Sequence, residues 1–252
     1  MKSLLQQIVA AEEQDVLLRN ARVSVALLKE MPMYASPCRS LSSSLQEAPL
    51  PVIAEYKRKS PSAGLFPGLR SPSEMAMDYQ NAGAAGISVL TNHRFFGGSL
   101  SDLQEVKSTV QLPVLRKEFL FQPYHIYESK AYGADAVLLI ARLLEKQILF
   151  DLIQRSRDLG MEVLLEVHDE QELDMAIQSK ADIIGINNRD LDELVTDLNV
   201  SRRLSQHLPV DRLFISESGI SSFSELKELQ DLGYRGFLIG TQFLTSNQLR
   251  LK

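Results

Sequence analysis

The chain has 252 residues, 44% of them hydrophobic and 23% charged, which is an ordinary globular composition and enough chain for one large core. A formal net charge of -5, with Lys and Arg scattered among acids, leaves no basic stripe for a phosphodiester backbone and argues against nucleic acid as a partner. Cys38, the single cysteine, allows no intrachain disulfide framework and points to a reducing, cytoplasmic compartment.

The first residues, MKSLLQQIVAAEEQ, mix glutamines into an apolar run with no small-residue cleavage site behind it, so no signal peptide is expected. Apolar runs such as DAVLLIA and DIIGI are far shorter than the roughly 20 residues a membrane-spanning helix needs, and no membrane partner is expected. Helical patterning in LLQQIVAAEEQDVLLRNARV and VALLKEM, followed by a Ser-rich SLSSSL, predicts an N-terminal helical extension over about residues 1–48. It is expected to pack on the rest of the chain within one domain spanning residues 1–252.

From Pro51 onward, short apolar runs alternate with amphipathic stretches. Strands are predicted at PVIAEY (from Pro51), AGISVL (from Ala85), PVLRK (from Pro113), DAVLLI (from Asp135), EVLLEV (from Glu162), DIIGIN (from Asp182), LFISE (from Leu213) and GFLIG (from Gly236). Most lack polar alternation and are rich in Val, Ile and Leu, as parallel strands buried on both faces are. Ser71 with Glu74, Asp169 with Glu172, and Ser222 with Glu225 have the spacing of helix capping boxes. Pro72 suits a first helical position, and Gly83, Gly133, Gly160 and Gly233 fall where helices should stop. Eight such units, with no Gly-rich dinucleotide fingerprint after the first strand, predict an α/β fold: a single (β/α)8 TIM barrel.

In such barrels the reacting groups project from the C-terminal strand ends. Glu55, Lys57, Lys117, Glu166, Asn187 and Glu217 all fall there. Acids and bases gathered at one mouth tune each other's proton affinity, which suits general acid/base catalysis. Strand alternation points Glu55 and Lys57 the same way and Arg58 the other. SESGI (Ser216–Ile220) and IGTQF (Ile239–Phe243) close the last two strands with Gly and hydroxyl residues, the usual phosphate position of this fold, assisted by a helix N-terminus after the eighth strand. Ser60, Pro61, Ser62 and Gly64 make a polar loop able to fold over a ligand. The four histidines, His93, His125, His168 and His207, have no metal-ligand spacing and are expected on the surface or in loops, with His168 singled out because it follows Glu166. No metal, nicotinamide, flavin or pyridoxal cofactor is indicated.

IAEYKRKSPSAG, SVLTNHRFFGGS, PVLRKEFL, GADAVLLIA, LLEVHD, IGINNRDL and SESGI occur in this order along nearly the whole chain, which thereby resembles the indole-3-glycerol phosphate synthases of tryptophan biosynthesis. The resemblance implies a cytoplasmic carboxy-lyase, without a cofactor, that closes 1-(2-carboxyphenylamino)-1-deoxyribulose 5-phosphate to an indole with loss of carbon dioxide and water. It implies Lys117 as general acid on the ketose carbonyl, Glu166 for the proton of the dehydration, and Lys57 on the anthranilate carboxylate. Glu55 and Glu217 would orient the lysines and bind sugar hydroxyls, with Asn187 near the reacting centre. Ser60, Ser218, Gly219, Gly240 and Thr241 would surround the phosphate. Phe96, Phe119, Leu138, Arg189 and Leu191 would frame the aromatic end. Three positions depart from the family pattern: Glu118 stands where Asp is usual, Ala63 where Lys is, and Thr241 near a usual Ser. The expected partner is a phosphorylated small molecule, and the expected state a monomer or weak homo-oligomer. Two other readings are a sugar-phosphate isomerase barrel of the phosphoribosylanthranilate isomerase type, disfavoured because no cysteine falls on a predicted strand, and a catalytically silent phosphate-binding barrel, disfavoured by the full set of strand-end acids and bases.

Overall fold

The computed structural model describes residues 3–61, 64–66, 68 and 70–240. Eight parallel strands form a closed barrel: β1 (Val52–Tyr56), β2 (Gly86–Leu90), β3 (Val114–Lys117), β4 (Ala136–Ile140), β5 (Glu162–Val167), β6 (Ile183–Asn187), β7 (Phe214–Glu217) and β8 (Gly236–Gly240). Each pairs with its neighbours in chain order, and β8 closes on β1 with Glu55 opposite Gly240. The fold class and all eight predicted strands are therefore found, each within a residue or so of its expected bounds.

Three helices precede the barrel: α1 (Leu4–Arg22), α2 (Val25–Lys29) and α3 (Leu41–Glu47). The Ser-rich stretch, expected only as a run of serines, is the last of these. Ser40 caps it, Leu41 and Leu45 bury one face at the (i, i+4) spacing, and Ser40 and Ser42 donate to the Glu162 carboxylate at 2.6 and 2.7 Å. Between strands run α4 (Pro72–Ala82), α5 (His93–Phe96), α6 (Leu100–Thr109), α7 (Pro123–Ala131), α8 (Lys146–Asp158), α9 (Glu170–Gln178), α10 (Asn199–Leu204) and α11 (Phe223–Asp231). Full capping boxes form at Ser71 with Glu74 and at Ser222 with Glu225. At α9 the box is incomplete: Asp169 accepts from the Glu172 amide, but the Glu172 carboxylate reaches one residue further back, to the amide of His168 at 2.9 Å.

Strand alternation sorts side chains into two buried layers. Val52, Ala54, Val114, Val163, Leu165, Ile184, Ile186 and Phe214 face outward and pack under the helices. Ile53, Leu115, Leu138, Leu164, Ile183 and Ile215 fill the barrel interior. Two residues further along the same inward face come Glu55, Lys117, Glu166 and Glu217. The two-residue period thus stacks a charged layer on an apolar floor at the C-terminal mouth.

One outward position breaks the apolar rule. Arg116 is buried under α7, where it donates to Glu128 (2.9 Å), Ser129 (3.0 Å) and Thr91 (3.1 Å). Arg19 of α1 bridges the same Glu128 at 2.7 Å and Glu12 at 2.5 Å, and Glu12 meets His125 at 3.2 Å. His125 is therefore fully buried on α7, not at the surface as expected, whereas His93 and His207 are exposed. This network fastens α1 to the element that follows Lys117. Removing one partner would strand a desolvated charge, so Glu128→Ala should lower unfolding stability by about 3 kcal/mol or more in urea titration. A loss under 1 kcal/mol, on the order of a surface pair, would contradict this role.

Candidate active site

The C-terminal mouth of the barrel encloses a cavity of about 330 Å³. Its wall includes Glu55, Lys57, Lys117, Glu166 and Asn187 on the reactive side, Phe96, Phe119, Leu138, Arg189 and Leu191 on another, and Ser60, Ser218, Gly219 and Gly240 on a third. The strand ends thus bring together the residues singled out from sequence, with two exceptions. Thr241 lies outside the described residues, as does Ala63. Glu217 does not line the cavity: its carboxyl is fully buried behind Lys117, which it meets at 3.1 Å.

Lys117 is the centre of the charged layer. Its Nζ lies 3.1 Å from Glu217 and 3.3 Å from Glu55, and the same Glu55 holds Lys57 at 2.5 Å. Burial alone would drive the ammonium to lose its proton, but Glu217, Glu55 and Glu166 outweigh it and raise its pKa above the ordinary lysine value. For Glu55, burial opposes ionisation, yet Lys57 and Lys117 bring its carboxyl down to about 2. Glu217 goes the other way: burial lifts it, Lys117 opposes, and the nearby Glu166 and Glu55 add to the rise, to about 7. One lysine is thus held charged between a carboxylate that stays ionised and one that exchanges protons near neutrality.

The Glu217 carboxyl has room because the facing residue on β6 is Gly185. A methyl group there would overlap Glu217 Oε1. Glycine in a strand interior marks such a close approach. Glu118, the longer acid beside Lys117, turns away from it: its carboxylate accepts from Thr91 Oγ1 and Asn92 Nδ2, both at 3.0 Å, and burial together with Glu12 lifts its pKa, against Arg116, to about 7. It ties the end of β3 to the loop after β2, and Lys117 keeps its own partners.

After β7, Ser218 and Gly219 both adopt left-handed backbone, with φ of 65° and 81°. A non-glycine residue held there costs on the order of 1 kcal/mol or more and needs support. Asn188 supplies it, donating from Nδ2 to the carbonyls of Glu217 (2.9 Å) and Ser218 (3.1 Å) and to Ser216 Oγ (3.0 Å). The tight turn carries polar backbone to the cavity rim beside Gly240, as an anion site requires.

At the opposite end, Phe96 and Phe119 stack with centroids 6.2 Å apart. Leu4, Leu5 and Ile8 of α1 complete this apolar wall, with the Leu5 amide donating to Asp192 at 3.2 Å in the loop after β6. Sequence reasoning missed these three residues and Asn188. An apolar turn at a helix start was visible, but nothing in it said which end of the barrel it covers, and one asparagine in a loop carries no periodic signal. Arg189 lines the same region, its guanidinium donating to the Leu194 carbonyl at 3.2 Å.

An apolar slot, a polar turn and a charge-balanced set of acids and bases at this mouth define an enzyme of the (β/α)8-barrel class that moves protons on a small anionic substrate. Solved structures with a similar barrel include an N-acetylmannosamine-6-phosphate 2-epimerase from Clostridium perfringens, at a TM-score of 0.61 and 16% identity over 83% of this chain and 93% of that one, which speaks for the fold alone. A sequence model of the family described as indole-3-glycerol phosphate synthase matches residues 5–252. Relatives of that name are 42% identical in Bacteroides thetaiotaomicron, over 98% of this chain and 95% of the relative, and 40% identical in Mycolicibacterium smegmatis, over 98% and 91%. The chain belongs to the indole-3-glycerol phosphate synthase family.

Two outcomes follow from the geometry. Gly185→Ala should displace the Glu217 carboxyl from Lys117 and lower kcat by about tenfold or more, a loss of about 1.4 kcal/mol in transition-state stabilisation, while the far-ultraviolet circular dichroism stays unchanged. Because the Glu55 carboxyl falls from 4.5 to about 2 on folding, its contribution to stability is present above pH 4.5 and lost as pH drops towards 2. Glu55→Gln should therefore flatten the acid side of the stability-against-pH curve, and an unaltered curve would disconnect Glu55 from the lysines.

Proposed function

We propose that this chain is an indole-3-glycerol phosphate synthase that closes 1-(2-carboxyphenylamino)-1-deoxyribulose 5-phosphate to indole-3-glycerol phosphate, releasing carbon dioxide and water. The observation that carries the assignment of roles is the placement of Lys117, charged and doubly paired, facing a cavity with an aromatic wall on one side and a left-handed polar turn on the other. The anthranilate ring fits the apolar wall of Phe96, Phe119, Leu138 and Leu191. The phosphate fits the turn at Ser218 and Gly219 with Ser60 and Gly240.

In this reading the ring carbon that bears the carboxylate attacks the ketose carbonyl, and the carbonyl oxygen gains negative charge. Lys117 donates its proton as that oxygen becomes an alkoxide, a far stronger base than the amine left behind, so the transfer is favourable despite the raised lysine pKa. Loss of the carboxylate as carbon dioxide returns the bond electrons to the ring. Lys57, released from the carboxylate once carbon dioxide has left, protonates the new hydroxyl, which leaves as water, and Glu166 takes the proton from the adjacent carbon. Lys57 holds the substrate carboxylate, Glu55 fixes both lysines, and Asn187 orients groups near the reacting carbon.

Among the described residues no helix is long and apolar enough to cross a membrane. The single-domain reading, with residues 1–48 as an extension of the barrel, is supported by Leu5 and Ile8 packing with barrel-interior residues. A cytoplasmic setting is supported by the lone cysteine.

The test is a fluorescence assay for indole-3-glycerol phosphate formation. Turnover by the folded protein is expected, and its absence would overturn the assignment. Lys117→Ala should lower kcat by about a thousandfold with KM changed by only about a few fold, as befits a proton donor acting in the transition state.

A further inference from the structure

His168 lies two residues beyond Glu166, on the same side of the chain, and is buried behind it without lining the cavity. Its Nε2 is 3.3 Å from Glu166 Oε1, and its Nδ1 is 3.2 Å from Glu172 Oε2. Glu172 also accepts from the His168 amide at 2.9 Å and from Arg142 Nε at 2.9 Å, and Arg142 Nη1 is 3.9 Å from Asp190 in the loop after β6. The ring is thus clamped by α9 on one nitrogen and offers the other to Glu166. The 3.3 Å contact is an ion-pair distance without an aligned hydrogen bond, and Lys117 and Asn187 also act on the Glu166 carboxylate.

From this geometry we infer that His168 is a positioning residue for the reaction: as an imidazolium fixed by Glu172, it holds Glu166 ionised and apart from Lys117, ready to take a proton. The inference rests on the proton-accepting role proposed for Glu166. Charge balance supports it. Lys57 and Lys117 are both engaged by Glu55, with Lys117 also on Glu217, whose carboxyl exchanges its proton near neutrality, so neither lysine serves Glu166 alone. Without a third cation Glu166 would compete for Lys117 or be protonated. The groups that face the imidazole are Glu166 from β5, Glu172 from α9, Arg142 from the turn after β4 and Asp190 from the loop after β6. Burial and Arg142 disfavour its charge, but the two glutamates prevail and lift the ring to about 9. Glu166 is correspondingly held below its ordinary value, since His168, Lys117 and Asn187 outweigh its burial.

The sign of the effect is fixed. Removing the imidazolium raises the Glu166 pKa, so the base stays protonated to higher pH. In His168→Gln, which keeps a donor but no charge, the acid limb of kcat should move up by about one pH unit or more relative to the variant's own plateau, with KM within about threefold of the parent. A purely structural role for His168 would lower the plateau or the stability without moving the limb, and an unmoved limb would overturn the inference. The second measurement needs no turnover: in the full-length unliganded protein, the His168 Cε1–H resonance should titrate near 9 and fall towards the ordinary value of 6.5 in Glu166→Gln. Titration of the parent His168 near 6.5 would equally overturn it. If the parent enzyme makes no indole product, the proposed function fails and the titration alone decides the pairing.

Discussion

A buried ammonium depends on its neighbours, and the site is arranged around that fact. Lys117 ends β3 with its side chain inside the barrel mouth, where its charge persists because Glu55 and Glu217 reach it from β1 and β7 and Glu166 lies nearby on β5. Each of those carboxyls needs its own support. Glu55 shares a second lysine, and Glu217 needs a backbone without a side chain at Gly185 on β6. A single buried ammonium therefore constrains residues on four strands.

The same demand extends outward through the shell of the barrel. Arg116, one residue before Lys117, points the opposite way and is buried under α7, so it requires Glu128, which in turn holds Arg19 of α1. Glu118, one residue after, is spent on Thr91 and Asn92. Arg116 and Glu118 thus lie on one side and share Thr91, while Lys117 between them points the other way into the barrel, as strand alternation requires. The N-terminal helix is attached through this network and contributes the apolar end of the cavity with Leu4, Leu5 and Ile8.

The division of the cavity follows from similar economy. Apart from Arg189, its aromatic side consists of groups with no hydrogen-bonding demand. Its polar side is built from backbone, with Asn188 satisfying the carbonyls that the left-handed Ser218–Gly219 turn would otherwise leave bare. Specificity for a ligand with one flat apolar end and one anionic end is set by this asymmetry more than by any one residue.

Sequence by itself determined the strands, because runs such as EVLLEV and DIIGIN can only be buried on both faces, and it determined which residues stand at the strand ends, because the period of a strand is fixed by backbone geometry. It also marked the polar turn through SESGI. What it left open is where side chains meet across strands. That Glu217 stands behind Lys117, that Glu118 turns away from it, that His125 is buried and that His168 bears on Glu166 all depend on register between strands and on helix docking, which bring residues such as Lys117 and Glu217, 100 positions apart, into contact. The one-dimensional pattern records which face a residue takes. Only closure of the barrel, by fixing the stagger of each strand against the next, decides which of those faces confront each other and so sets Glu217 behind Lys117 and His168 against Glu166.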